Sequence, residues 1–343
     1  MSDQHAVIVE DLVKVYPGGT RAISGINFTV AQGEFFGFLG PNGAGKSTTL
    51  KVLSTLLKKT SGNVQVAGYD VDHKPDDVRK SIGFAMQEVG IDDLATGWDF
   101  LILQGRLYGL SGSDAKRRAG ELLELVGLTD VAKHKVGTYS GGMRRRVDLV
   151  AALMHSPPIV FLDEPTTGLD PQSRLAIWAY LKELNSQGTT VFLTTQMMEE
   201  ADQLCRRVAI VDRGEIVAEG SPAVLKSEMG GDVIHVLIGA TSDEGTEPPM
   251  ERAEALVRER NYVEDVAIDG TVLVVRAQGA AAVVPDLLRL LNDNQIPVSS
   301  VSVANPTLDD VFLKYTGHTI RSEGAGGDGS AQAMRPWLGL NRN

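Results

Sequence analysis

Gly40-Pro41-Asn42-Gly43-Ala44-Gly45-Lys46-Ser47 is the stretch on which the reading of this chain turns. It follows the apolar run Glu34–Leu39 and precedes a segment in which Leu50, Leu53 and Leu57 recur at helical spacing. Strand, glycine-rich turn and helix in that order form a phosphate cradle. The glycines let the backbone curl until successive N–H groups point at phosphate oxygens, and the helix N-terminus adds partial positive charge. Lys46 is placed to neutralise a β- and γ-phosphate, and the Ser47 hydroxyl to hold Mg²⁺, with Thr48 beside it. A fold built around such a loop is an α/β P-loop core with a parallel sheet.

Outward from the loop, short unalternating apolar runs Ile159–Leu162 and Thr190–Thr194 flank a helical stretch, Ser173–Leu184. Runs of that kind are strands covered on both faces by helices. Asp163 and Glu164 close the first run. A carboxylate at a buried strand tip near a phosphate loop suits the outer sphere of Mg²⁺, the role read for Asp163. Glu164 is then placed to orient or deprotonate an attacking water. Residues 6–30 read as two strands around the turn Pro17-Gly18-Gly19, residues ~75–155 as mostly helical, and Val208–Val211 with Glu215–Ala218 as a closing hairpin.

A second phosphate-binding turn stands at Thr138-Tyr139-Ser140-Gly141-Gly142-Met143-Arg144-Arg145-Arg146, about twenty residues before Asp163. Ser-Gly-Gly opening a helix resembles the signature of the ABC ATPase family, and the landmarks around it resemble that family in order across residues 6–225. The resemblance implies a dimer of two cassettes, in which Ser140, Gly141 and Gly142 of one subunit close on ATP held by Lys46 of the other. It implies that Tyr16 stacks on adenine, that Gln87 touches Mg²⁺ and senses a membrane permease, and that Asp170, in Thr166–Pro171, reaches across the dimer. The family's histidine after the strand at 190–194 is replaced here by Gln196, which can donate to a γ-phosphate but cannot carry charge. Gly137–Arg146, the Thr195-Gln196 pair and the ending Pro306–Leu313 resemble in particular the daunorubicin/doxorubicin-resistance type of drug-export ATPase. That implies export of an amphiphilic drug, antibiotic or lipid through a separate integral-membrane permease, from the cytoplasmic face of the membrane. The residues 88–110, with Trp98, Phe100, Leu101 and Tyr108, fall where the family docks that permease.

The rest of the chain bounds these readings. The net charge of −11 argues against a nucleic-acid partner. The single cysteine, Cys205, excludes an intrachain disulfide. No stretch reaches the ~18 consecutive apolar residues of a membrane helix, since even Val147–Leu162 is broken by Asp148, His155, Ser156 and two prolines. The first domain is read as 1–230. Residues 231–317 follow the order βαββαβ, a small ferredoxin-like α+β unit taken as an accessory dimerisation or regulatory domain, and 318–343 form a glycine-rich flexible tail. Two other functions fit the same nucleotide motifs. One is a soluble ABC ATPase outside transport. The other is a nucleotide-gated scaffold with weak hydrolysis, motivated by Gln196.

Overall fold

The apolar runs on either side of Gly40–Ser47 become neighbouring strands of one sheet. The computed structural model describes residues 5–86, 90–229, 232–239, 249–277 and 279–317. Two long strands, β1 (His5–Val15) and β2 (Arg21–Ala31), form a hairpin, followed by β3 (Phe35–Leu39), α1 (Lys46–Leu53), β4 (Ser61–Val66) and β5 (Tyr69–Asp70). Next come α2 (Pro75–Ser81), β6 (Ile82–Ala85), α3 (Gly97–Leu107), α4 (Gly112–Leu125) and α5 (Gly141–Ala151). The first unit ends with β7 (Ile159–Asp163), α6 (Pro171–Ser186), β8 (Thr190–Thr195), α7 (Met198–Leu204), β9 (Arg207–Asp212) and β10 (Glu215–Gly220).

Its main sheet has the order β10-β9-β3-β8-β7-β6, with β9, β3, β8, β7 and β6 parallel. Every residue of β3, β7 and β8 is buried, which explains why these strands read as unbroken apolar runs. A second sheet, β2-β1-β4-β5, is antiparallel. Phe28 of this sheet stacks on Phe36 at 5.7 Å between ring centres and lies 5.9 Å from Phe192 of the main sheet. The two sheets thus share one aromatic core. Residues 75–155 are mostly helical, as the sequence reads, with one strand inside them that it does not show: Ile82–Ala85 pairs with Ile159–Leu162 as the sheet's edge.

Chain packing divides after Pro222, where the sequence reading placed the boundary at 230. The second unit contains α8 (Pro222–Ser227 by its bounds), β11 (Asp232–Ile238), α9 (Pro249–Arg258), β12 (Val263–Asp269), β13 (Val272–Ala277), α10 (Ala280–Asp293), β14 (Val298–Ala304) and α11 (Leu308–Thr316). Its antiparallel sheet has the order β12-β13-β11-β14, the ferredoxin-like arrangement. Ile234, Val236, Leu273 and Val275 pack with Ala253, Val257, Leu287 and Leu291 of α9 and α10. The tail 318–343 and most of the polar loop expected at Ser242–Pro249 lie outside the described residues.

Candidate active site

The phosphate cradle begins where β3 stops. Gly43 and Gly45 have φ of +81° and +106°, the left-handed region that glycine enters without strain. A side chain at Gly45 would also place its Cβ 2.6 Å from the Ala22 carbonyl. Gly45 caps α1, whose first turn carries no acidic residue, so the helix's partial positive charge is left for an anion. Lys46 is buried, and its Nζ donates to the carbonyls of Gly40 at 2.7 Å and Pro41 at 3.1 Å. The same ammonium lies 3.5 Å from Glu164 Oε1. Burial lowers the Lys46 pKa, and Glu164 opposes that shift. Pro41 and Ala44 line the loop, bridged by a bond from Ala44 N to the Pro41 carbonyl, while Asn42 and Gly43 are exposed at its tip. Tyr16, at the end of the β1 strand, meets this helix through its hydroxyl, 3.3 Å from Thr48 Oγ1.

The tips of β7 and β8 complete the wall. Register pairs Leu39 with Thr195 and Asp163 with Thr194, so three strand ends arrive side by side. Crevices at the carboxyl ends of parallel strands are where such sheets bind ligands. Ser47 Oγ donates to Asp163 Oδ1 at 3.1 Å, and the Thr194 hydroxyl donates to the same oxygen. Glu164 has φ of +48°, a strained conformation for a residue with a side chain. It is held there from both sides. Its N–H donates to the Thr194 carbonyl at 3.0 Å, and its carbonyl accepts from Arg145 Nη2 at 3.0 Å. Gln196 follows β8, half-buried, and its Oε1 is buried with no hydrogen-bond partner among the described residues. A side-chain amide has an acceptor oxygen at one end and a donor NH₂ at the other. Turned over, this one presents its NH₂ as a donor at that position.

Ser140 stands apart from this wall. It caps α5, accepting from Met143 N at 3.2 Å, and both Ser140 and Gly141 are exposed. Gly142 lies against Leu169, whose Cδ2 would be 3.4 Å from an added Cβ. Asp170 is exposed and caps α6, accepting from Ser173 N at 2.9 Å and Ser173 Oγ at 2.6 Å. Those two Ser173 bonds lower its pKa. Gln87 lies outside the described residues.

The ABC transporter family pattern matches residues 23–167, and a pattern for the C-terminal domain of DrrA1-3-like ATP-binding proteins matches residues 220–316. The chain is 42% identical over 313 residues to the daunorubicin/doxorubicin resistance ATP-binding protein DrrA of Streptomyces peucetius, covering 91% of this chain and 93% of that one. This protein belongs to the ATP-binding subunits of ABC transporters. It is 40% identical to the linearmycin resistance ATP-binding protein LnrL of Bacillus subtilis (strain 168), over 91% of this chain and 98% of LnrL. Among solved structures it resembles the ATP-binding cassette MJ0796, a dimer in a post-hydrolysis state bound to ADP and phosphate. There the TM-score is 0.60 at 30% identity, over 63% of this chain and 98% of that cassette. The chain is accordingly an ATPase of the P-loop class, and its first unit is the cassette.

Within the cassette the structure brings Lys46, Ser47, Asp163 and Glu164 into mutual contact, with Tyr16 and Thr48 on one flank and Gln196 at the neighbouring strand tip. Ser140 and Asp170 cap helices elsewhere. The three side chains of the arginine triplet Arg144–Arg146 on α5 go separate ways. Arg144 pairs with Asp93 at 2.8 Å, and Arg146 donates to the Val126 carbonyl at 2.7 Å. Arg145 is buried and donates to the carbonyls of Met86, Asp163, Glu164 and Pro165. Sequence reasoning missed Arg145 as a brace of the Asp163-Glu164 corner. Its spacing of four from the buried Leu149 was the available signal. Thr194 was missed as well, because its bond to Asp163 exists only through strand register.

Proposed function

We propose that this chain is the ATP-hydrolysing subunit of an ABC exporter, acting as a pair of cassettes on a separate membrane permease. The observation that carries the reading is the meeting of Lys46, Ser47, Asp163 and Glu164 at the ends of three parallel strands. In this reading the backbone of Gly40–Gly45 and the Lys46 ammonium bind the phosphates, and Tyr16 supports the adenine. The residues present fit Mg²⁺: Ser47 and Asp163 offer hard oxygen donors in contact, and Mg²⁺ uses one or two such groups together with phosphate oxygens. When bound, Mg²⁺ would neutralise charge on the β- and γ-phosphate oxygens.

Glu164 is the general base, its carboxylate fixed beside the cradle by the strained backbone and by Thr167 Oγ1 at 3.3 Å. Without nucleotide, Lys46 and Glu164 neutralise one another. An arriving phosphate gives Lys46 a stronger partner and leaves the Glu164 carboxylate to polarise water. Gln196 donates a hydrogen bond to the γ-phosphate, a neutral contact in place of a charged one. Catalysis on this scheme is positioning and charge stabilisation.

Ser140, Gly141 and Gly142 serve the nucleotide of the second cassette, with Asp170 at the same interface. The exposure of Ser140 and Gly141 supports this, since a phosphate nest open to solvent suits a ligand delivered by another subunit. The permease docks on the helical region, where Leu94, Leu103, Leu107 and Tyr108 are exposed. Among the described residues no helix is long and apolar enough to cross a membrane, so the permease supplies the membrane path. The resistance proteins it resembles favour an amphiphilic drug, antibiotic or lipid as cargo, moved outward from the cytoplasmic face.

Steady-state ATPase of the full chain, with and without its co-purified permease, tests the proposal. Hydrolysis stimulated by the permease and abolished in Glu164→Gln is expected. Equal rates for wild type and Glu164→Gln would remove the catalytic assignment. For Gln196, a rate unchanged in Gln196→Ala would take it out of the site.

A further inference from the structure

Glu200, on α7, has no part in the chemistry above, yet it is only 1% exposed. Burying a carboxylate is expensive unless donors and charges replace water. Here the replacement comes from three separate segments. Glu200 Oε1 accepts from Thr166 Oγ1 at 2.7 Å and from Trp178 Nε1 at 3.0 Å, and the Thr195 hydroxyl bonds to the same carboxyl group. Burial raises the Glu200 pKa, and the three donors pull it back. The nearby cation Arg174 is directed to Glu199 at 3.9 Å and to the Trp178 ring, 5.4 Å from its centre.

The origin of those donors is the informative part. Thr166 opens the loop that ends at Asp170. Trp178 lies on α6, the helix that Asp170 caps. Thr195 immediately precedes Gln196, and its backbone is tied to the phosphate cradle, its carbonyl accepting from Gly40 N at 3.3 Å. Its Oγ1 accepts in turn from Met197 N at 2.9 Å, which fixes the backbone just after Gln196. One buried carboxylate therefore joins the loop assigned to the partner cassette and the strand end assigned to the γ-phosphate.

We infer that Glu200 is a positioning residue for hydrolysis, locking the 166–170 loop to the Thr195-Gln196 segment so that the two move as one piece. Docking of a second cassette against Asp170 would then set Gln196 within its own site. The inference rests on the roles proposed for Asp170 and Gln196. Glu200→Met leaves the Thr166, Trp178 and Thr195 donors unpaired in any case, so a merely structural role would show as lost stability with kcat unchanged.

The test compares Glu200→Gln, Glu200→Met, Thr166→Val and Thr195→Val in the full chain. Glu200→Gln keeps an acceptor for Thr166 and Trp178 and should hold kcat within about threefold, whereas Glu200→Met should lower it roughly ten- to a hundredfold, the scale of a misplaced group. KM for ATP and MgADP affinity should stay near wild type in both. Each valine variant should lower kcat in the same direction, and Gln196→Ala should add little in the Glu200→Met background, since both act through one contact. Full turnover in Glu200→Met overturns the inference, as do independent, multiplying losses from Glu200→Met and Gln196→Ala. If Glu200→Met fails to fold, the valine variants decide, and wild-type turnover in both overturns it. Failure of the underlying enzymatic reading looks different: there Glu164→Gln would match wild type.

Discussion

Two turns in the cassette are built from the same materials, glycines at the head of a helix, and they differ in nearly everything else. The turn at Gly40–Gly45 is backed by a fully buried strand, leads into the buried Lys46 and abuts two carboxylates. At the second turn Ser140 and Gly141 are exposed, and the serine oxygen caps α5. The first turn has cation, metal-binding oxygens and base at hand. The second has only donors. A phosphate could be held by the first alone, whereas the second is of use only when something brings a phosphate to it. Under the proposed pairing of cassettes, the contrast is that of two half-sites carried by one chain, each completed by the other subunit.

The comparison breaks most visibly at Glu164. Glu164→Gln should lower kcat by about 10²–10⁴, the range for loss of a general base, while nucleotide binding survives. A stopped-flow phosphate-release assay with parallel nucleotide-binding titration checks both halves. Lys46→Ala follows, with a loss of about 10²–10³ in kcat, comparable to removing one transition-state charge contact. It differs in kind, because binding of ATP weakens too. Should Lys46→Ala bind ATP as wild type does, the first turn would not be the phosphate cradle.

Arg145 sharpens the contrast from the other direction, since it braces the first site from the helix that the second turn opens. Removing a buried guanidinium leaves four carbonyls short of a donor. Arg145→Ala should destabilise the cassette by about 3 kcal/mol, read from urea unfolding of the full chain. A loss under about 1 kcal/mol would mean water replaces the guanidinium, as at an ordinary surface hydrogen bond.

The parts legible in the sequence are those whose residues are contiguous. Gly40–Ser47 carries its strand, turn and helix within one stretch, and Asp163-Glu164 sits at the end of its own apolar run, so both fold and chemistry could be read there. The β6 strand could not. Its four residues, Ile82–Ala85, are too few to show a period between two helical segments. Gly83, which weakens a strand reading, is there because a Cβ would collide with the carbonyl of Ala152, a residue far along the chain. Arg145 and Glu200 were hidden for a similar reason. Each is a charged residue in a helix, ordinary by composition, and its partners lie on other elements that only the folded sheet assembles. Glu164 adds a further limit, since nothing in its neighbours' identity announces a φ of +48°.

The smallest effect is expected at Ser140, and it separates the two turns most cleanly. In one cassette alone, Ser140→Ala removes an N-cap and should lower stability by about 1 kcal/mol. Because Ser140 makes no contact with the Lys46 cradle among the described residues, affinity of an isolated cassette for ATP should be unchanged. The loss should appear only where two cassettes meet, as weaker ATP-dependent pairing at dilute protein, measured by analytical ultracentrifugation in the Glu164→Gln background to hold ATP intact. Lys46→Ala in the same background should abolish pairing by abolishing binding, so the two variants reach one outcome by different routes. If Ser140→Ala pairs as readily as its parent, the second turn is a helix cap and nothing more. If it instead weakens ATP binding to the isolated cassette, the two turns serve one phosphate within one chain, and the division of labour between them disappears.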